Sequence, residues 1–170
     1  MTIETTGQTN LIIKSNMNKP ILQILLVALA ALLFSGCRKN IVYSSFYPME
    51  SEKWHIDSVV KADYTIADTS SGYQILVYVR HTERYPYQNM WLFIGDSLHR
   101  DTIEFYLADD RGNWLGDKHH GFIEMPVLYE ECRHYPDSGV YHLEIQQAMR
   151  DTMLRGITDI GVEVVMNNEK

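Results

Sequence analysis

The chain has 170 residues, enough for one ordinary domain and a short extra segment, and its 45% apolar and 22% charged content is close to globular averages, so disorder is not the expectation. A formal net charge of −7 leaves no basic surplus to neutralise phosphates, which excludes a general nucleic-acid binder. Two cysteines, Cys37 and Cys132, are too few for a disulfide framework.

Ile21 to Phe34 reads ILQILLVALAALLF, with Gln23 as its one polar member. The run is shorter than the about 20 residues a membrane-spanning helix needs. It suits the apolar core of an export signal, with Lys14 and Lys19 as the positive flank. Ser35 and Gly36 before Cys37 are the small residues a lipoprotein signal peptidase needs to draw an extended backbone into a narrow cleft. The stretch resembles a bacterial lipobox, with Phe34 where Leu is usual. Met17 opens a more typical signal, so Met1 to Asn16 reads as an upstream extension or a misassigned start. On this reading residues 1–36 are removed, and Cys37 is the mature N-terminus and the lipid anchor, carrying acyl chains such as palmitate. Two or more chains hold a membrane stably where one does not. Loss of Lys14, Lys19 and Glu4 from 15 cations and 22 anions leaves 13 and 21, a net of −8. An anionic lipid surface repels such a body, so the anchor is expected to hold it while the domain stands off. Arg38-Lys39-Asn40 lack the acidic run that resembles a surface-export tag in some lipoproteins, which predicts a periplasm-facing position on the outer membrane. Cys132 is then a buried small apolar residue or an intermolecular thiol.

Residues 37–51, rich in Tyr and Ser, read as a lipidated tether, and residues 52–167 as the folded domain. Trp54 to Tyr64 supplies a strand. Tyr73 to Arg80 alternates, with Tyr73, Ile75, Val77 and Val79 on one side and Leu76 and Tyr78 on the other. Both faces are largely apolar, which suits a central strand. Glu83 to Asn89 make a Pro-directed reversal into a short aromatic strand, Met90 to Ile94. Thr102 to Leu107 points Ile103, Phe105 and Leu107 inward. Val140 to Gln146 does the same with Tyr141, Leu143 and Ile145, and Ile157 to Val165 with Ile160, Val162 and Val164. Ser70-Ser71-Gly72, Gly95-Asp96, Asp109 to Gly112 and Asp137-Ser138-Gly139 mark turns. Gln146 to Leu154 has room for one or two helical turns. Six to eight short strands predict an all-β chain, a single jelly-roll-like β-sandwich after the signal and anchor segment.

The chemistry-bearing residues are sparse. His119-His120 are adjacent and His134 and His142 lie across a turn, without the spacing of a zinc site, so no metal is expected. The serines sit in tether or turn-like segments and no Gly-x-Ser-x-Gly elbow occurs. Asp109 to Asp117 lacks the ligand alternation and closing Glu of a calcium loop and reads as a turn. No catalytic residues and no cofactor are predicted. Aromatics carry more. Trp54 and Trp91 are read as buried caps of the core. Tyr85, Tyr87 and Trp114 either pack down or stand out to stack on a sugar or anchor a partner. Arg80 and Arg150 end strand-like runs and are candidate partly buried cations, which would need carboxylates such as Asp57, Asp109 or Asp159. Tyr47-Pro48, Tyr85-Pro86 and Tyr135-Pro136 are each candidates for a cis bond.

Taken together, the lipobox cysteine, VYSSFYP, Trp54, YVRHTERYPYQNMWLFI, LADDRGNWLGD and GVYHLEIQQAMRDTMLRGITDIGVEV resemble the GldH family of gliding motility lipoproteins, over about residues 37 to 165. The family's Gly-x-Trp-x-Gly-x-Gly is matched at Gly112, Trp114 and Gly116, while Lys118 stands in place of the last Gly. The resemblance implies a non-enzymatic outer-membrane accessory of the gliding apparatus and the secretion system coupled to it, with other envelope proteins as partners. The alternative is an envelope glycan- or lipid-binding module that works through its aromatic loops.

Overall fold

A computed structural model of the protein describes residues 40–96 and 99–167; the signal segment and Cys37 lie outside them. Period-two burial sets the architecture. In β4 (Tyr73–His81) every odd-numbered residue is closed to water and every even one is half-buried. β3 (Val60–Ile66) and β9 (Gly139–Gln147) alternate in the same way, and β11 (Ile157–Met166) is buried along most of its length. Branched side chains at alternate positions favour a pleated strand because they pack without crowding the turn before them.

The remaining strands are β1 (Asn40–Pro48), β2 (Lys53–His55), β5 (Asn89–Gly95), β6 (Arg100–Tyr106), β7 (Asp117–Lys118), β8 (Ile123–Arg133) and β10 (Met153–Arg155), with a 3₁₀ turn at Glu50–Glu52. A five-stranded sheet runs β1-β11-β4-β8-β7, a four-stranded sheet runs β3-β9-β5-β6, and β10-β2 form a ribbon. Ile75, Val77, Val79, Ile160, Val162 and Val164 of the first sheet and Ala62, Leu92, Ile94, Leu143 and Ile145 of the second share one buried core, so the two sheets face each other as a sandwich. The ribbon adds Trp54 and Leu154, paired and fully buried, and the Trp54 indole N–H donates to the Ser58 carbonyl at 2.8 Å. Among the strands of seven residues or more, each step along the chain crosses from one sheet to the other except β5 to β6. That is the connectivity of a jelly roll.

Three expectations change. Residues 40–48 are no tether: β1 pairs antiparallel with β11 from Asn40↔Met166 to Pro48↔Asp159, with one bulge between Ile41 and Tyr43. Phe46 lies over Gly161, where any Cβ would strike its ring, and the Tyr43 and Tyr47 hydroxyls share a 2.6 Å hydrogen bond. The sandwich therefore starts at Asn40. Gln146 to Leu154 is not helical, since β9 continues to Gln147 and β10 opens at Met153. All three Tyr-Pro bonds are trans.

A mature chain trimmed to begin at Asn40 is expected to melt with the untrimmed one. A chain beginning at Met49 should melt on the order of 10 °C lower, since a loss of about 3 kcal/mol moves the midpoint by roughly 4 °C per kcal/mol. Thermal circular dichroism reads the difference; equal midpoints would return residues 40–48 to the role of a tether.

Candidate functional site

β4 ends at His81, level with Ile157 of β11 and Ile123 of β8, and the chain must then cross to the other sheet to start β5. It crosses by a turn in which the Thr82 N–H donates to the Gly156 carbonyl at 2.8 Å and the Tyr85 N–H to the Thr82 carbonyl at 3.1 Å. Gly156 has a φ of +80°, and a Cβ there would strike the Arg84–Tyr85 backbone, so the position takes only glycine. Tyr85 is buried and its hydroxyl donates to the Asn89 carbonyl at 2.8 Å; burial pushes its pKa well up. Its ring is an internal strut, which removes it as a contact for a partner. Tyr87 stands edge-on to Tyr85 at 5.8 Å, half-buried, and donates to Asp151 Oδ2 at 2.7 Å, a bond that raises its pKa.

Trp114 comes from the connection between β6 and β7. Asp109 organises that loop: its Oδ1 accepts the N–H groups of Arg111 (2.9 Å) and Asn113 (2.8 Å), and its Oδ2 the Asn113 side-chain amide (2.9 Å). These donors hold the Asp109 carboxyl below the usual range. Trp114 is laid half-buried and edge-on to His81, with 4.7 Å between the ring centroids. His81 is fully buried; its Nδ1 meets the Thr82 carbonyl at 3.1 Å, and its Nε2 has no hydrogen-bond partner. Burial lowers its pKa.

Arg80 points to the outer face of the five-stranded sheet. Its Nε donates to Glu124 Oε2 at 2.6 Å, and its guanidinium lies 3.5 Å above the Phe46 ring and 4.8 Å from that of Phe122. The side chains of Arg80 and Glu124 are 25% and 20% exposed, so the carboxylate is none of Asp57, Asp109 and Asp159. Arg150 is exposed and has no ion pair among the described residues, because the period of β9 stops at Gln147. Its reading as a partly buried cation is corrected.

These residues, distant in sequence, meet at the end of the sandwich where β4 finishes. Beside them lies a groove of about 550 Å³ lined by Tyr87, Asn89, Trp91, Met149, Arg150 and Asp151. Trp91 is 37% exposed, contrary to its reading as a core cap. Met90 and Leu92 point inward, which puts Trp91 outside; that alternation was the signal to read. The Ala148 N–H donates to the Trp91 carbonyl at 2.8 Å, Asn89 donates to Glu104 at 2.7 Å, and Tyr106, paired with Asn89, is 58% exposed. Sequence reasoning passed over Asn89, Met149 and Asp151. Cys132 is exposed rather than buried, 3.6 Å from His134 Nε2. Among the described residues no three His, Cys, Asp or Glu side chains are grouped to hold a metal ion; His142 faces Asp63 at 2.7 Å and His119 stacks on Phe122.

Arg80→Ala is expected to cost about 2 kcal/mol in urea unfolding, by stranding a part-buried carboxylate and breaking the stack on Phe46. Arg150→Ala should stay within about 0.5 kcal/mol of the parent; equal effects would refute the contrast.

His81 also gives a pH dependence. Below its ordinary value of 6.5 the unfolded chain takes a proton that folded His81 resists, so stability falls as pH drops from there toward the lower folded value. Trp114→Ala, which opens His81 to water, should flatten that slope in denaturant melts between neutral and acid pH. An unchanged slope would remove His81 as its source.

Residues 41–164 match the GldH lipoprotein family. A gliding motility lipoprotein GldH homolog of Christiangramia forsetii is 31% identical over 145 residues, covering 78% of this chain and 88% of its own. Gliding motility lipoprotein GldH of Flavobacterium johnsoniae is 29% identical over 151 residues, covering 82% and 93%. The crystal structure of dimeric latent PorU from Porphyromonas gingivalis aligns at a TM-score of 0.37 with 5% identity, over 78% of this chain and 14% of that one, too slight a likeness to argue from.

Proposed function

Since the chain belongs to the GldH lipoprotein family, we propose that it is an outer-membrane lipoprotein, anchored through Cys37 and facing the periplasm, that serves the gliding and associated secretion machinery as a non-enzymatic scaffold. The observation that carries the scaffold reading is how the polar groups around the groove are employed. Tyr87 is bound to Asp151, Asn89 to Glu104 and Asp109 to its own loop. Such groups fix a shape, and a surface with fixed side chains around an aromatic anchor loses little freedom when a protein docks on it. The outward Trp91 and Tyr106 favour a second reading, an envelope glycan- or lipid-binding module, because aromatic faces flanked by hydrogen-bonding side chains also suit sugar rings.

Fed palmitate should label the wild type and not Cys37→Ala, and the labelled protein should sediment with outer membranes; equal labelling counts against the anchor. Affinity capture from solubilised envelopes then compares the parent with Trp91→Ala/Arg150→Glu of unchanged melting temperature. Loss of an envelope protein supports the scaffold. Intact protein capture with weakened binding to peptidoglycan or lipopolysaccharide supports the second reading instead. No change in either would dismiss the groove.

A further inference from the structure

The start of β1 removes the slack between the anchor and the domain. Two residues lie between Cys37 and Asn40, so the link is three Cα–Cα steps, a reach of about 10 Å when fully extended. β1 is paired with β11 from its first residue, Asn40↔Met166, so no further chain is free to lengthen the link without opening the sheet.

The residues at that level can be named. Met166 also pairs with Tyr73, the first residue of β4, and the turn before Tyr73 leads from Ile66, the last residue of β3, which pairs with Gly139 at the start of β9. The Tyr43 and Tyr64 rings, 6.1 Å apart, set β1 and β3 at one height. Three apolar side chains near this end face water: Ile41 at 50%, Val42 at 39% and Val140 at 59% exposed. Arg38 and Lys39 fall in the link itself. The carboxylate of the adjoining turn, Asp68, is already engaged by Ser70 and Ser71 at 2.6–2.8 Å. Aliphatic side chains at the pole where the chain from an acylated residue enters the sheet suit the boundary between headgroups and acyl chains.

We infer that this pole of the sandwich rests directly on the lipid bilayer, with Ile41, Val42 and Val140 entering its interface. The strands then stand on the membrane, and the groove at Tyr87, Trp91 and Arg150 faces away from it. The inference rests on acylation of Cys37 and replaces the expectation of a domain held off on a tether.

The test uses the full-length lipidated protein in a Cys132→Ser background, with one environment-sensitive fluorophore at Val140→Cys or at Asn113→Cys. It is reconstituted in phosphatidylethanolamine–phosphatidylglycerol vesicles with and without nitroxide-bearing lipid. Both proteins should float with the vesicles, and position 140 should be quenched several-fold more than position 113. Flotation with equal quenching, or with the order reversed, overturns the placement while leaving the anchor intact. Failure to float overturns the anchor, and the placement with it.

Discussion

Four side chains of one strand fix the register of those beside it. Tyr73, Ile75, Val77 and Val79 are all closed to water, and β4 has β11 on one flank and β8 on the other. A slip of one residue would turn that set to the outer face and bring Gln74 and Arg80 into the core, a change large enough to forbid the alternative pairing. Once β4 is set, β11 is set by it, and β1 by β11. The fit of Phe46 over Gly161, beside Tyr78, is a product of that chain of registers. Arg80 then finds Glu124 opposite and Phe46 beneath. A cation that would be costly alone in a half-buried place is held by a carboxylate and two rings.

The same register gathers the groove residues. β4 delivers its last residues, β9 its last and β5 its first to one end, so the loops between them are neighbours although the sequence separates them. What these loops present is mostly shape. Glycine at 156 lets the Tyr85 backbone come close, Tyr85 props the turn from inside, and the Asp109 loop lays Trp114 against His81. His81 is the exception to a well-satisfied site: its Nε2 is buried without a partner, a cost borne by the packing around it.

Legibility in the sequence followed the strength of alternation. β4, β9 and β11 were readable because their inward residues repeat at period two with little interruption. β1 was not, because its half-exposed edge and its bulge at Val42 break the pattern, and its Tyr and Ser content looks like a linker. β8 was hidden for a related reason: Pro126 sits within it, it pairs with β4 on one side and with the short β7 on the other, and two register shifts blur its faces. At the groove, the direction of Trp91 was readable from Met90 and Leu92, and only the habit of burying tryptophan obscured it. The burial of Tyr85 was not readable, since it depends on Gly156, far along the chain. Arg150 misled because Gln147 ends the strand three residues earlier.

The first long strand and the last are neighbours in the finished sheet. A chain synthesised or threaded across a membrane from its N-terminus delivers β1 at the outset and β11 last. Until Met166 arrives, β1 has no strand to pair with and Phe46 has no Gly161 to cover. Because nearly every connection crosses between sheets, few partners are local and closure comes late. The sandwich is therefore a structure of release rather than of passage, and the interval before release, with apolar edges uncovered, is where it is open to aggregation and in need of an escort.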